Sequence, residues 1–187
     1  MLPSTNVNLS PGGYGFLTGP LTIDGAGRMA DPWPMIDPKK SHDFMALAFK
    51  EAEAAGARGE VPIGAVVVNA QGEVLGAAGN EVEALNDPTA HAEIIAIRQA
   101  AARVGEPRLV DCDLYVVLEP CAMCATAASF ARLRRIVYGA YDPKGGGVDH
   151  GPRIFSQTTC HHRPEVIGGV EAGRAESLLK SFFAARR

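Results

Sequence analysis

His91 and Glu93 stand two positions apart, and about 30 residues further on Cys121 and Cys124 stand three apart, with Pro120 directly before them. Two cysteines at that spacing share one face of a helical turn, and a helix N-terminus favours their thiolate forms. The imidazole of His91 completes a set of three protein ligands. For zinc, three ligands leave the fourth tetrahedral position to water, the pattern of a catalytic site and not of a closed structural one. Zinc brings such a water to a pKa of about 7, so hydroxide is available at neutral pH. Soft thiolates with imidazole make zinc the favoured ion. Glu93 is not needed as a ligand, and a carboxylate beside the water can take its proton and pass it on. A lone Cys-x-x-Cys is as often structural or redox-active, and a lone His-x-Glu carries little information. Their combination, in this order and with Pro120 in place, points to chemistry. Cys160 with His161 and His162 is the one alternative metal cluster, while Cys112 borders a strand.

The elements that must hold these residues follow from local pattern. Met45, Ala48, Phe49 and Ala52 fall on one face of a helix from about Ser41 to Ala55, stopped by Gly56 and Gly59. Ile63 to Val68 is short, β-branched and apolar on both sides, hence a central strand. Glu73 to Ala78 returns antiparallel after the turn Asn69–Gly72. Asp87-Pro88 predicts an N-cap with proline at the first helical position, Thr89 competing as cap, and a helix to about Arg103. Leu114–Leu118 and Arg135–Gly139 are strands around a helix Cys121–Ala131. A short strand near Val166–Gly169 and a helix Ala172–Ala185 close the chain. Strands interleaved with helices imply an α/β protein with a layered sheet covered on both faces.

The 187 residues, 47% of them hydrophobic, suit one globular domain with an appendage. Residues 1–40 read as that appendage, a Pro/Gly-rich arm without sustained period, and 41–187 as the catalytic domain. The formal charge of −3 gives no global basic signature. Locally, Arg132, Arg134, Arg135, Lys144, Arg153 and Arg163 face only Asp142 and Asp149, a candidate positive surface. No apolar run reaches the roughly 20 residues of a membrane helix, and the start lacks a secretory signal. A soluble cytoplasmic protein with reduced cysteines is therefore expected.

The combination around His91 and Cys121 is the pattern of zinc-dependent nucleobase deaminases. With the segments Glu60–Val66, Asp87–Glu93, Leu118–Cys124, Tyr138–Ala140 and Phe182–Arg187, the chain from Met45 to Arg187 resembles the cytidine and deoxycytidylate deaminase superfamily. Within it, the chain is similar to the tRNA-specific adenosine deaminases. The resemblance implies a three-layer α/β/α cytidine-deaminase-like fold with a central mixed sheet of about five strands. It implies that His91, Cys121 and Cys124 hold Zn2+, one per subunit, and that Glu93 is the catalytic proton shuttle. Asn80 matches an asparagine that contacts the purine, and the backbone around Ala92, Pro120 and Cys121 would help hold the hydrated intermediate. A homodimer is implied, with Phe182, Phe183, Arg186 and Arg187 against the tRNA anticodon stem-loop. The implied reaction is hydrolysis of adenosine to inosine at the wobble position of tRNA, that of arginine with anticodon ACG, after the base leaves its loop.

Three segments depart from the family pattern. Ala125–Ala131 is built of small residues, Gly145–Gly147 allows either close backbone approach or mobility, and 150–163 is rich in histidine. All three bear on substrate more than on zinc. The same fold and chemistry could serve a free base or nucleoside such as guanine, cytosine or cytidine, whose turnover would respond little to salt. A non-catalytic zinc-stabilised RNA-binding module would have no use for Glu93.

Overall fold

The computed structural model of the chain describes residues 38–186; the expected N-terminal arm up to residue 37, and Arg187, lie outside the described residues. The chain runs α1 (Pro38–Ala57), β1 (Gly64–Val68), β2 (Val74–Gly79), α2 (Val82–Leu85), α3 (Ala92–Val104), β3 (Asp113–Leu118), α4 (Ala122–Phe130), β4 (Arg135–Ala140), β5 (Glu165–Ile167) and α5 (Ala172–Ala184). A single 3-10 turn at Ile154–Ser156 interrupts the long connection before β5.

The five strands form one mixed sheet in the order β2-β1-β3-β4-β5. β1 is antiparallel to both neighbours, and β3, β4 and β5 run parallel. Helices cover both faces, giving the three-layer α/β/α arrangement of cytidine deaminases. This is why β1, β3 and β4 are buried on both sides and show no polar alternation. Ala65, Val67, Leu114, Val116, Ile136 and Tyr138 pack with Ala92, Ala96, Ala100, Ala125 and Ala128 of α3 and α4. On the opposite face α1 lies beside α5, where the Arg174 guanidinium sits 3.9 Å over the Phe49 ring and also meets Glu53.

The α1 stripe is as close as its composition allows. Met45, Ala48, Phe49, Ala52 and Ala55 are all fully buried. A Cβ on Gly64 would stand 2.1 Å from the Ala48 carbonyl and 2.4 Å from the Ala52 nitrogen, so the helix backbone rides directly on β1. Gly64→Ala is therefore expected to lower stability by about 3 kcal/mol, the upper end of overpacking costs, seen as a reduced urea midpoint.

Two expectations are corrected. The helix expected to carry His91 in its first turn begins at Ala92, not at Asp87-Pro88, and leaves His91 as its N-cap. The Asp87 carboxylate is spent locally, accepting the Thr89 amide at 2.8 Å and its hydroxyl at 2.7 Å, and this turn competes with helix initiation. The short α2 ends before Asp87, and a turn at 88–89 leads to His91, whose extended backbone (φ −71°, ψ 149°) is the N-cap. The first helix likewise starts at Pro38 and not at Ser41.

The positive surface is also redrawn. Arg134 and Arg135 are turned inward: Arg134 binds Asp113 through two bonds of 2.7 Å, and Arg135 bridges Asp113 (3.2 Å) and Glu165 (2.7 Å). They tie β3, β4 and β5 together, and cannot serve as an approach surface for a polyanion. No helix among the described residues is long and apolar enough to cross a membrane.

Candidate active site

Strand direction brings the candidate residues together. β2 and β3 are both antiparallel to β1, so they point the same way and end at one edge of the sheet. α3 and α4 begin beyond those ends, and β4, parallel to β3, delivers its following loop to the same edge. Ligands are expected outside the carboxyl ends of strands in such sheets.

His91 and Cys121 are the N-caps of α3 and α4, and neither spends its side chain on capping. His91 Nδ1 lies 3.6 Å from Cys121 Sγ and 3.5 Å from Cys124 Sγ, and the three donor atoms fall within 4.8 Å of one another. Zinc bonds of about 2.0 Å to nitrogen and 2.3 Å to sulfur at tetrahedral angles place such donors about 3.5 Å apart, so the set fits that ion. Among the described residues no other His, Cys, Asp and Glu group converges this way. The Cys160 trio is not a second one: Cys160 Sγ and Ser129 Oγ both reach the His162 carbonyl, and the His162 ring bonds the Leu133 carbonyl at 2.6 Å. Cys112 is buried beside β3, and all four cysteines are unpaired thiols.

The local electrostatics separate the two cysteines. A hydrogen bond from Cys124 and the neighbouring His91 bring the Cys121 thiol down to about 4, a thiolate at neutral pH. The bond to Cys121 and burial hold Cys124 upward. The Cys121 thiolate in turn raises the His91 pKa, against desolvation. Glu93, the second residue of α3 and 4% exposed, is raised foremost by burial, against a hydrogen bond from Cys124 that favours its charge. A carboxyl that holds a proton readily, beside a site for an activated water, can act as acid as well as base.

Asn80 is buried where β2 ends, its Nδ2 donating to Glu60 at 3.1 Å, while the other Glu60 oxygen accepts the Ala84 amide at 2.8 Å. Glu60 fixes which end of the Asn80 amide faces away, a role that nothing in the linear pattern announces.

The family model of the cytidine and deoxycytidylate deaminase zinc-binding region matches residues 38–140. A tRNA-specific adenosine deaminase of Agrobacterium fabrum is 55% identical over 144 residues, which make up 77% of this chain and 94% of the relative. The chain belongs to the tRNA-specific adenosine deaminase family. It is a zinc-dependent deaminase. A solved structure from a study of A-to-I editing by tRNA:A34 deaminases at the wobble position superposes with a TM-score of 0.72 at 55% identity, covering 74% of this chain and 99% of the other. A guanine deaminase from Nitrosomonas europaea, 24% identical with a TM-score of 0.62 over 75% of this chain and 83% of its own, shares the fold.

The remaining expected residues of this adenosine deaminase family member fall into two groups. Ala92 is fully buried at the start of α3, and Pro120 is buried with its carbonyl accepting the Gly147 amide at 2.8 Å. At the far end of the chain the Arg186 guanidinium lies 3.6 Å over the Phe182 ring and bonds the Gly59 carbonyl, while Phe183 meets Phe182 edge-on and is 49% exposed. The deaminase's glycine run is resolved in favour of close approach. A Cβ on Gly147 would stand 2.4 Å from the Ala122 nitrogen, and one on Gly146 2.5 Å from the Glu119 carboxylate. Glu119, which the sequence did not single out, accepts the amides of Asp142 (3.0 Å), Val148 (3.2 Å), Asp149 (2.8 Å) and His150 (2.9 Å), and His150 Nδ1 at 2.7 Å. Burial works against its charge, and these bonds overcome it, holding the carboxyl below its ordinary range.

Proposed function

We propose that this deaminase converts adenosine to inosine at the wobble position of tRNA, with the ACG-anticodon arginine tRNA as substrate. The observation that carries the proposal is buried Glu93 beside a three-donor set of zinc spacing, in a chain 74% of which superposes on a structure from a study of tRNA:A34 deaminases. One zinc ion per subunit would be held by His91, Cys121 and Cys124 and would supply a water activated at neutral pH.

The chain's own groups do the rest. The target adenosine leaves its loop and enters the pocket at the sheet edge, at low cost because it is already unpaired. Asn80, its amide oriented by Glu60, holds the purine. Glu93 takes a proton from the attacking water and delivers it to N1 as the oxygen bonds to C6. It then passes the second proton to the exocyclic amine, which departs as ammonia and leaves inosine. The N–H groups at the start of α3, from Ala92 onward, and those beside Pro120 and Cys121 face the charge that develops. A homodimer in the cytoplasm completes the proposal, with Phe182, Phe183, Arg186 and Arg187 against the anticodon stem-loop and residues 41–187 as the catalytic unit.

Zinc-loaded protein incubated with that tRNA is expected to yield inosine at the wobble position, read by nuclease digestion and mass detection. Free guanine, adenosine and cytidine in parallel reactions are expected to stay unchanged. Turnover of a free base with unmodified tRNA would replace this function with the small-molecule one.

A further inference from the structure

The loop of residues 142–150 leaves the sheet at the edge that carries the metal donors, and its backbone packs on Cys121 and Ala122. Its conformation is dictated from inside by Glu119, whose side chain is fully buried and saturated with loop amides. A carboxylate has about four acceptor positions, and this one spends them all on a single loop.

Two rings stand on this frame. His150 has its Nδ1 edge tied to the Glu119 carboxylate, yet 36% of its side chain is exposed, so the ring is held in one orientation with its other edge outward. Tyr141, the first residue after β4, is 48% exposed and meets His150 edge-on at 6.0 Å. It is braced from behind by the buried Tyr138, edge-on at 5.3 Å, whose hydroxyl bonds Asp149. The mechanism above uses neither ring. Exposed aromatic groups on a rigid support are the means by which proteins receive unpaired bases.

We propose that Tyr141 and His150 form a platform for an unpaired base flanking the target adenosine, the Tyr141 ring stacking on the base and the His150 ring, 73° to it, bounding it edge-on, with Glu119 as the positioning residue that holds the platform beside the site. The inference rests on the tRNA reading. It assigns the loop a contact with a base because two exposed rings in fixed orientation are what the Glu119 frame presents.

The test is steady-state deamination of the tRNA by zinc-loaded full chain over a range of salt concentrations. Tyr141→Ala and His150→Ala are expected to raise KM about tenfold with kcat held, the size of one lost base stack. The slope of log KM against log salt stays the same because no phosphate contact is removed. Tyr141→Phe, which keeps the ring, restores KM. Glu119→Gln puts N–H where the loop needs an acceptor and raises KM in the same direction, although Glu119 cannot touch RNA itself. Should that variant fold poorly, the exposed Tyr141 still decides the matter. KM unchanged in both alanine variants, with wild-type turnover intact, overturns the platform alone. A salt slope reduced by about one unit overturns stacking in favour of a phosphate contact. Wild-type enzyme that leaves tRNA unmodified overturns the tRNA reading, and the platform with it.

Discussion

Glu93→Ala is expected to fold and to bind zinc as the parent does, and to lose about 10³-fold in kcat, within the 10²–10⁴ range of a positioned acid–base group. The two parts of that result have separate causes. Glu93 stands two positions after His91, in the first turn of α3, and its carboxylate is not one of the three donors within 4.8 Å of one another, so its removal leaves the metal set intact. Its carboxyl is almost completely buried, so replacing it by a methyl group relieves desolvation and does not weaken the core. What is lost is the one group that can move two protons in succession, from water to N1 and then to the leaving amine. Metal analysis of the purified variant gives the first part, and single-turnover inosine formation the second. Retention of activity within about tenfold would remove Glu93 from the role of shuttle.

Asp113→Ala is expected to cost stability and not chemistry. Asp113 lies at the start of β3, the end opposite Cys121, and is paired in register with Arg135 of β4, which is in turn paired with Glu165 of β5. With Asp113 at 5% side-chain exposure, Arg134 at 8% and Arg135 at 4%, the alanine variant leaves two buried guanidinium groups without their shared carboxylate. Breaking a buried pair from one side costs about 3–5 kcal/mol. For a domain of this size that corresponds to a fall in Tm of roughly 10 °C, measurable by thermal denaturation. The folded fraction at low temperature turns over tRNA as the parent does. A variant of unchanged Tm would show that water already solvates this cluster.

Much of this architecture was legible because two kinds of signal are local. The α1 stripe Met45, Ala48, Phe49 and Ala52 and the β-branched run ending at Val68 are period and composition, and both elements are present, α1 starting three residues earlier than expected. His91, Cys121 and Cys124 are named by chemistry at fixed spacing, and the structure gathers them. The errors came where a side chain had two possible partners. Asp87 reads as a helix cap until Thr89 is seen to take it. Arg134 and Arg135 read as surface charge until Asp113, more than 20 residues earlier in the chain, is seen beside them. Glu60 and Glu119 were silent for the same reason. A buried carboxylate that satisfies amides 20 to 30 residues away, of the backbone or of a side chain, leaves no periodic trace.

The spacing of the metal donors also decides which ion can use them. By intrinsic affinity, divalent copper outcompetes zinc at nearly any nitrogen and sulfur site, so selection must come from shape. His91 and the two cysteines are carried by separate helices whose starts are fixed by β2 and β3, and Gly147 leaves no room for the Cys121 backbone to shift toward the loop. A square-planar ion draws neighbouring donors to right angles, about 3.0 Å apart for these bond lengths. At 3.5 and 3.6 Å, the donors of this deaminase stand at the tetrahedral separation and not at the square-planar one. Discrimination among metals in this way adds the shape of the scaffold to the softness of the ligands, the sheet edge setting where each donor stands.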